Sequence, residues 1–207
     1  MLRAFDLNHM TRNGELRDIL VRLGPKTIFL SLGFSDTDFL EFSYTADDIV
    51  NCCGRNTKEE YQNVLKNTDF VNALCEDLTE VLLNQKTKMR QLAVFISDFG
   101  EAFPEHIGIR IQEAARFALS RKHRKIQVTE VVLLSLPIQE LINILIQLDS
   151  SSLRKIEFVE MDENLCQFAN MKDVLLVEQW KVFRRLKLSF SFCHLATEDM
   201  KFLKKVS

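Results

Sequence analysis

Two hexapeptides in the second half of the chain share one pattern: Leu153-Arg154-Lys155-Ile156-Glu157-Phe158 and Phe183-Arg184-Arg185-Leu186-Lys187-Leu188. Met89-Arg90-Gln91-Leu92-Ala93-Val94 and His123-Arg124-Lys125-Ile126-Gln127-Val128 repeat it earlier. In each copy, two mostly basic or polar residues precede an apolar, polar, apolar alternation, which is typical of a β-strand. The first apolar positions of the four copies are spaced by 34, 30 and 30 residues; they are Leu92, Ile126, Ile156 and Leu186. A period of this size indicates a solenoid of strand-helix units.

The segments between these strands have helical periodicity. Helices are predicted from about Ile109 to Arg121, after Pro137, and from about Met171 to Lys181. Parallel strands need right-handed crossover connections, and units of about 30 residues suit them. The sequence therefore predicts an α/β fold, leucine-rich-repeat-like, with a curved, mostly parallel sheet of β-α units and helices on its outer face.

The first half of the chain is predicted to extend this sheet. Pro25–Leu30 resembles an earlier copy of the strand pattern, and Phe39–Tyr44 alternates as a further strand. Thr57 and Glu60 have the spacing of a capping box, which predicts that a long amphipathic helix starts there and reaches Leu82.

Composition limits the classes of protein to which this chain can belong. The 207 residues carry 27 basic and 29 acidic side chains, so we expect no nucleic-acid partner. No run approaches 18 apolar residues, so we expect no membrane partner. Five cysteines at irregular spacing fit a reducing compartment and predict an intracellular protein, cytoplasmic or nuclear.

The chain is predicted to form one α/β repeat-like domain over residues 25–207, preceded by a short N-terminal segment, residues 1–24. In that segment, four apolar residues have the spacing of one face of a remnant helix. They are Leu16, Ile19, Leu20 and Leu23.

The single tryptophan lies in Leu176-Val177-Glu178-Gln179-Trp180-Lys181, at the end of a predicted helix. This segment, the strand that follows it and the closing Thr197-Glu198-Asp199-Met200-Lys201-Phe202-Leu203 resemble the FTH family, the F-box-associated domain expanded in nematodes. The resemblance covers about residues 59–204. Two features differ from the family pattern: the first 50 residues show no F-box, and a segment with a His-Phe pair is missing after the tryptophan motif.

The FTH resemblance implies a region that selects the substrate of a cullin-based ubiquitin ligase. In similar proteins an F-box recruits the Skp1-type adaptor of that ligase. We therefore expect a non-catalytic protein-protein interaction module. A second hypothesis is a ligase adaptor that recruits a Skp1-type protein through the degenerate helix at Leu16–Leu23, and a third is an enzyme of unrecognised type.

Strand alternation places the residues beside the apolar positions on the face away from the helices. The repeat then aligns one row across neighbouring strands: Gln91, Lys125, Lys155 and Arg185. The adjoining row is Ala93, Gln127, Glu157 and Lys187. Because neighbouring strands lie about 4.8 Å apart, three adjacent cations would repel one another and favour an acidic protein partner. The alternative is a solvated face on which Glu157 supplies local compensation.

No pattern in the sequence indicates catalysis, a metal or a cofactor. Cys193 and His194 are adjacent, so a strand would direct them to opposite faces, and no nucleophile signature surrounds them. Cys52 and Cys53 are adjacent and cannot form a zinc-binding Cys-x-x-Cys clip. Trp180 is interpreted as a core anchor of its helix.

Overall fold

The computed structural model describes residues 15–24, 27–36, 39–47, 52–57, 62–65, 69–97, 105–134, 138–159 and 185–189. These ranges contain nine strands and three helices. The strands are β1 (Asp18–Leu23), β2 (Thr27–Gly33), β3 (Phe39–Asp47), β4 (Cys52–Thr57), β5 (Gln62–Leu65), β6 (Met89–Ser97), β7 (Val128–Leu134), β8 (Lys155–Val159) and β9 (Arg185–Ser189). The helices are α1 (Phe70–Asn84), α2 (Glu105–Ser120) and α3 (Ile138–Leu145).

All nine described strands belong to one mixed sheet of order β5-β4-β3-β2-β1-β6-β7-β8-β9. Strands β1 to β5 form an antiparallel meander, whereas β1 and β6 to β9 are parallel. The prediction of a mostly parallel sheet therefore holds for the second half only. Gly24, Pro25 and Lys26 alone separate β1 from β2, and so short a link allows a hairpin but not a crossover. The strand predicted at Pro25–Leu30 is real, but it is not a repeat unit.

Strand β1 occupies the centre of the sheet, between β2 and β6. Its side chains alternate: Ile19 and Val21 are fully buried, and Leu20 on the other face is half-buried. The remnant helix predicted through Leu16, Ile19, Leu20 and Leu23 is therefore wrong. The apolar residues fit both a helical and a strand period, and pairing on both sides, which satisfies the backbone of this segment, decides for the strand.

Helix α1 begins later than the capping box predicts. Residues Cys52–Thr57 and Gln62–Leu65 are strands of the meander, so Thr57 does not cap a helix. Asp69 is the N-cap instead, and its carboxylate accepts a hydrogen bond of 2.7 Å from the Val71 N–H. Sheet pairing has overridden a local helix signal.

The three helices contribute to one hydrophobic core on a single face of the sheet. Helix α1 packs on β2, β3 and α2, and α2 also packs on β6 and α3. The core joins helix residues such as Leu74, Leu78 and Ile111 to strand residues such as Leu30 and Leu92. The predicted buried stripe of α1 is confirmed from Val71 onward. None of the described helices is both long and apolar enough to cross a membrane.

The register of β7 differs from the repeat pattern. Leu92 lies beside Val131, Val131 beside Ile156, and Ile156 beside Leu186. Ile126, the apolar position that the repeat predicts, precedes β7 and forms an isolated bridge with Leu148. The regular period is therefore wrong at this unit. The run from Val128 to Leu134 buries more apolar surface in the sheet than the stretch around Ile126 would.

The second half agrees with the sequence in its order of elements. Helix α2 starts at Glu105, earlier than predicted, and α3 follows Pro137 directly. The predicted helix up to Lys181 with Trp180, the pair Cys193 and His194, and the closing helix at Thr197 lie outside the described residues.

We expect the Asp69→Ala variant to lose about 1 kcal/mol of folding free energy at neutral pH, because it removes the N-cap of α1. Burial alone would raise the pKa of Asp69, but the bonds from the Val71 N–H and Arg110 outweigh it and hold the pKa below its usual value. A depressed pKa stabilises the fold above the unfolded-state pKa, and this stability is lost as the pH falls through the folded-state pKa. Urea denaturation of both proteins over a range of pH should show the difference shrinking in acid. A difference that stays constant down to acidic pH would contradict this role for the carboxylate.

Candidate functional site

The face of the sheet opposite the helices, called the open face here, is formed by every second residue of each strand. Its first row crosses β1, β6, β7, β8 and β9 at positions Asp18, Gln91, Glu130, Lys155 and Arg185. The second row follows the same strands at Leu20, Ala93, Val132, Glu157 and Lys187. Two rows of paired positions therefore span five strands on the face opposite the described helices. Asp18, Ala93 and Val132 are buried there, and Leu20, Gln91, Glu130, Lys155 and Glu157 are half-buried.

Seven residues of the predicted rows, all except Ala93, are the predicted partner-binding residues. The structure places five of them in the observed rows: Gln91, Lys155, Glu157, Arg185 and Lys187. Lys125 and Gln127 are not among them. Both are exposed in the connection between α2 and β7, and Glu130 and Val132 take the positions predicted for them. This correction follows directly from the register of β7.

The shift reverses the charge predicted for the centre of the first row. Lys155 Nζ lies 3.2 Å from a carboxylate oxygen of Glu157 and 3.5 Å from one of Glu130. The hydrogen bond to Glu157 raises the pKa of Lys155. The neighbour of Lys155 on β7 is the acidic Glu130. The repeat pattern had predicted the basic Lys125 at that position. The predicted stripe of three adjacent cations is therefore wrong, and Glu157 supplies local compensation as the alternative interpretation expects.

A second charged cluster lies where β1, β2 and β6 meet. Arg90 donates to both carboxylate oxygens of Asp18, at 2.9 and 2.6 Å, and to Asp36 at 2.6 Å. Asp18 is only 4% exposed, so Arg90 compensates a carboxylate that is largely removed from water. Gly33 leaves room for the Asp18 carboxylate, because a Cβ at position 33 would lie 3.0 Å from an Asp18 oxygen. Sequence reasoning missed this cluster because its members are far apart in the chain.

The open face continues across β2 and β3 with a further ion pair. Arg22 pairs with Glu41, and the Ser31 hydroxyl donates to the same Glu41 carboxylate at 3.0 Å. The Arg22 guanidinium also lies 5.4 Å from the centre of the Phe29 ring. Because hydrogen bonds hold these charges in place, the face presents a defined pattern of both signs.

Two observations on the described residues concern a nucleophile and a metal. Burial raises the pKa of the Cys75 thiol to about 11, so the reactive thiolate is scarce near neutral pH. Within the ranges that the structure describes, no group of three His, Cys, Asp or Glu side chains could hold a metal ion.

No curated protein and no solved structure matches the chain. The family model of the FTH domain does match, over residues 111–207. This span begins within α2, includes β7, α3, β8 and β9, and contains the Trp180 motif on which the resemblance was based. It starts later than the predicted limit at residue 59, so the meander and α1 lie outside it. The resemblance to the FTH domain family is therefore confirmed over residues 111–207, a little under half of the chain.

Proposed function

We propose that this chain is a non-catalytic protein-binding module that contacts its partner through the open face. The observation that supports the proposal is the division of the sheet into two unlike faces. One face is sealed by helices over an apolar core, and the other carries ion pairs in a fixed arrangement. Complementary charges on a partner would select that partner and fix its orientation.

The parallel half of the sheet also gives a reason to propose leucine-rich-repeat-like curvature. Neighbouring helices need about 8–10 Å between their axes, whereas neighbouring strands lie about 4.8 Å apart. Because all the described helices lie on one face, the strands β6 to β9 would bend so that the open face is concave. A concave face increases the area that a bound protein segment can contact.

The FTH resemblance supports a more specific role, the selection of a substrate for a ubiquitin ligase. We extend the proposal to this role, with a protein as partner and no cofactor. The alternative in which the chain recruits a Skp1-type adaptor through Leu16–Leu23 has lost its basis, because these residues lie in or next to the buried strand β1.

The test compares affinity capture by the wild type with capture by a charge-swap variant, Lys155→Glu combined with Glu157→Lys. The swap keeps the net charge and leaves an oppositely charged pair, but it reverses the pattern that a partner meets. We expect recovery of the specific partner, measured by quantitative mass spectrometry, to fall about tenfold or more, which corresponds to about 1.4 kcal/mol.

The control swaps two charges just before β1, Glu15→Lys with Arg17→Glu. Both side chains are exposed and lie outside the two rows of the open face, and this swap also keeps the net charge. The control should capture the partner as well as the wild type does. If the open-face variant retains full capture, or if both variants lose it equally, the open face is not the binding surface.

A further inference from the structure

A concavity of about 600 Å³ lies beyond the C-terminal ends of α1 and α2, beside the segment that enters β7. It is called the basic concavity here. Six of its lining residues are basic: Lys86, Arg121, Lys122, His123, Arg124 and Lys125. Lys125 thus contributes to this concavity and not to the open face. The repeat pattern placed Lys125 in the sheet, whereas in the structure it lies before β7 among other basic residues.

No aspartate or glutamate is among the described residues that line the basic concavity. Among the described residues, no carboxylate lies within ion-pair distance of Lys86, Arg124 or Lys125. Asp149 lies nearby; burial alone would raise its pKa, but hydrogen bonds from Ser151 and the charge of Lys125 help to lower it, so one carboxylate offsets only part of the positive charge. This cluster stands out in a chain whose net charge is −2. Because like charges this close repel one another, an anionic ligand would relieve the repulsion.

Among the contacts of the described residues, Lys122 is the one of the six whose side chain is held by hydrogen bonds. The Lys122 ammonium donates to three main-chain carbonyls at the end of α1, those of Leu82, Leu83 and Gln85. These contacts use all its donors. Lys86, His123, Arg124 and Lys125 are exposed, so the charged ends of the two lysines and the arginine remain available to a ligand.

An apolar groove adjoins the basic concavity and shares Leu83 with it. This groove, of about 610 Å³, runs between α1 and α2; Leu83, Ala114 and Phe117 form its apolar part, and Glu76, Glu80 and Glu113 also line it. These carboxylates would repel a further acidic residue, so the groove suits an apolar residue beside the acidic part of a ligand. Leu83 is 40% exposed and Phe117 is 49% exposed, and the Arg121 guanidinium lies 4.8 Å from the centre of the Phe117 ring. Arg121 therefore lies between the apolar groove and the other basic residues of the basic concavity.

The surrounding backbone favours carboxylates over a compact phosphate. Phosphate sites typically use the free N–H groups at a helix N-terminus. Two helix C-termini end here instead, and their carbonyl groups carry partial negative charge. Cations at the ends of long, separate side chains are better matched to several spaced carboxylates than to one compact phosphate group. The overall acidity of the chain likewise opposes nucleic acid.

We propose that the basic concavity binds an acidic peptide segment of a protein partner, with an apolar residue of that segment against Leu83 and Phe117. This site is separate from the open face and extends the chain's proposed protein binding to a second surface. Its test uses the purified 207-residue protein and synthetic probes, so it does not depend on the open face.

The measurement is fluorescence anisotropy with a labelled peptide in which glutamates flank one leucine. We expect saturable binding that weakens as salt increases, because screening reduces the charge attraction. A peptide with glutamine in place of each glutamate should bind at least about tenfold more weakly. Equal binding of the two peptides would overturn the proposal, as would tighter binding of a phosphoserine peptide or of an oligonucleotide of equal charge.

Variants locate the binding site. The double variant Lys86→Glu with Arg124→Glu should weaken binding of the glutamate peptide about tenfold or more. Lys88→Glu changes an exposed lysine just outside the basic concavity and should have little effect. The open-face swap of Lys155 and Glu157 should leave the affinity unchanged. Unchanged binding by the double variant, or an equal loss with Lys88→Glu, would contradict the assignment, provided that thermal melts show both variants folded.

Discussion

Replacing Ile19 by alanine is expected to lower the free energy of unfolding by about 3–4 kcal/mol. Ile19 has no exposed surface and lies in β1, the strand that joins the antiparallel half of the sheet to the parallel half. Truncation removes buried methyl and methylene groups and leaves a cavity that neighbours on β2 and β6 fill only partly. Urea denaturation followed by circular dichroism would measure the loss.

Two neighbouring residues are the controls for this result. Val21→Ala should also be costly, because Val21 is fully buried on the core face. Leu20→Ala should cost only about 1 kcal/mol, because Leu20 is half-buried on the open face. A helix would give the reverse order, with Leu20 inside and Val21 outside, so that order would contradict the central position of β1.

Removing the hydroxyl group of Tyr44 is expected to cost about 2 kcal/mol. Tyr44 on β3 has no exposed surface, and its hydroxyl donates a hydrogen bond of 2.6 Å to Asp77 of α1, which is 4% exposed. A buried carboxyl group that loses a donor cannot recover it from water, and hydrogen bonds to charged groups contribute about 1.5–3 kcal/mol. Tyr44→Phe keeps the ring and its packing, so its effect reports the hydrogen bond.

A double-mutant cycle with Asp77→Asn separates this contact from others made by either residue. The cycle should give a coupling energy of about 1 kcal/mol or more between positions 44 and 77. Additive losses in the double variant would mean that β3 and α1 are not linked through this pair, and the packing of α1 on the meander would need another explanation.

The sequence predicted those elements whose local pattern agrees with their long-range pairing. Strands β6 and β8 and helix α3 are found close to where alternation and Pro137 indicate them. Strand β1 was missed because its apolar residues fit helical and strand periods equally well, and only its pairing decides between them. The helix start predicted from the capping box at Thr57 is wrong because the residues that would have formed the first turns of the helix pair as strands of the sheet.

The residues of the candidate site were predicted correctly only on those strands whose register was predicted correctly. Lys155 and Glu157 were identified because they flank Ile156, which pairs as expected. Lys125 was misplaced because the repeat pattern put Ile126 beside Leu92, whereas Val131 of the buried run from Val131 to Leu133 takes that position in the sheet. The pairing of Asp18 with Arg90 depends on contact between β1 and β6, which no spacing in the sequence reveals.

Site-specific photo-cross-linking tests most directly whether the open face contacts a partner. A photoreactive phenylalanine analogue in place of Glu130, a half-exposed residue of the first row, would be compared with the same analogue in place of His106, an exposed residue of α2. After each variant is irradiated in native lysate, we predict that the analogue at position 130 forms one specific protein adduct. The analogue at position 106 should not form that adduct. The same adduct from both positions, or none from position 130 while affinity capture still recovers the partner, would contradict binding at the open face.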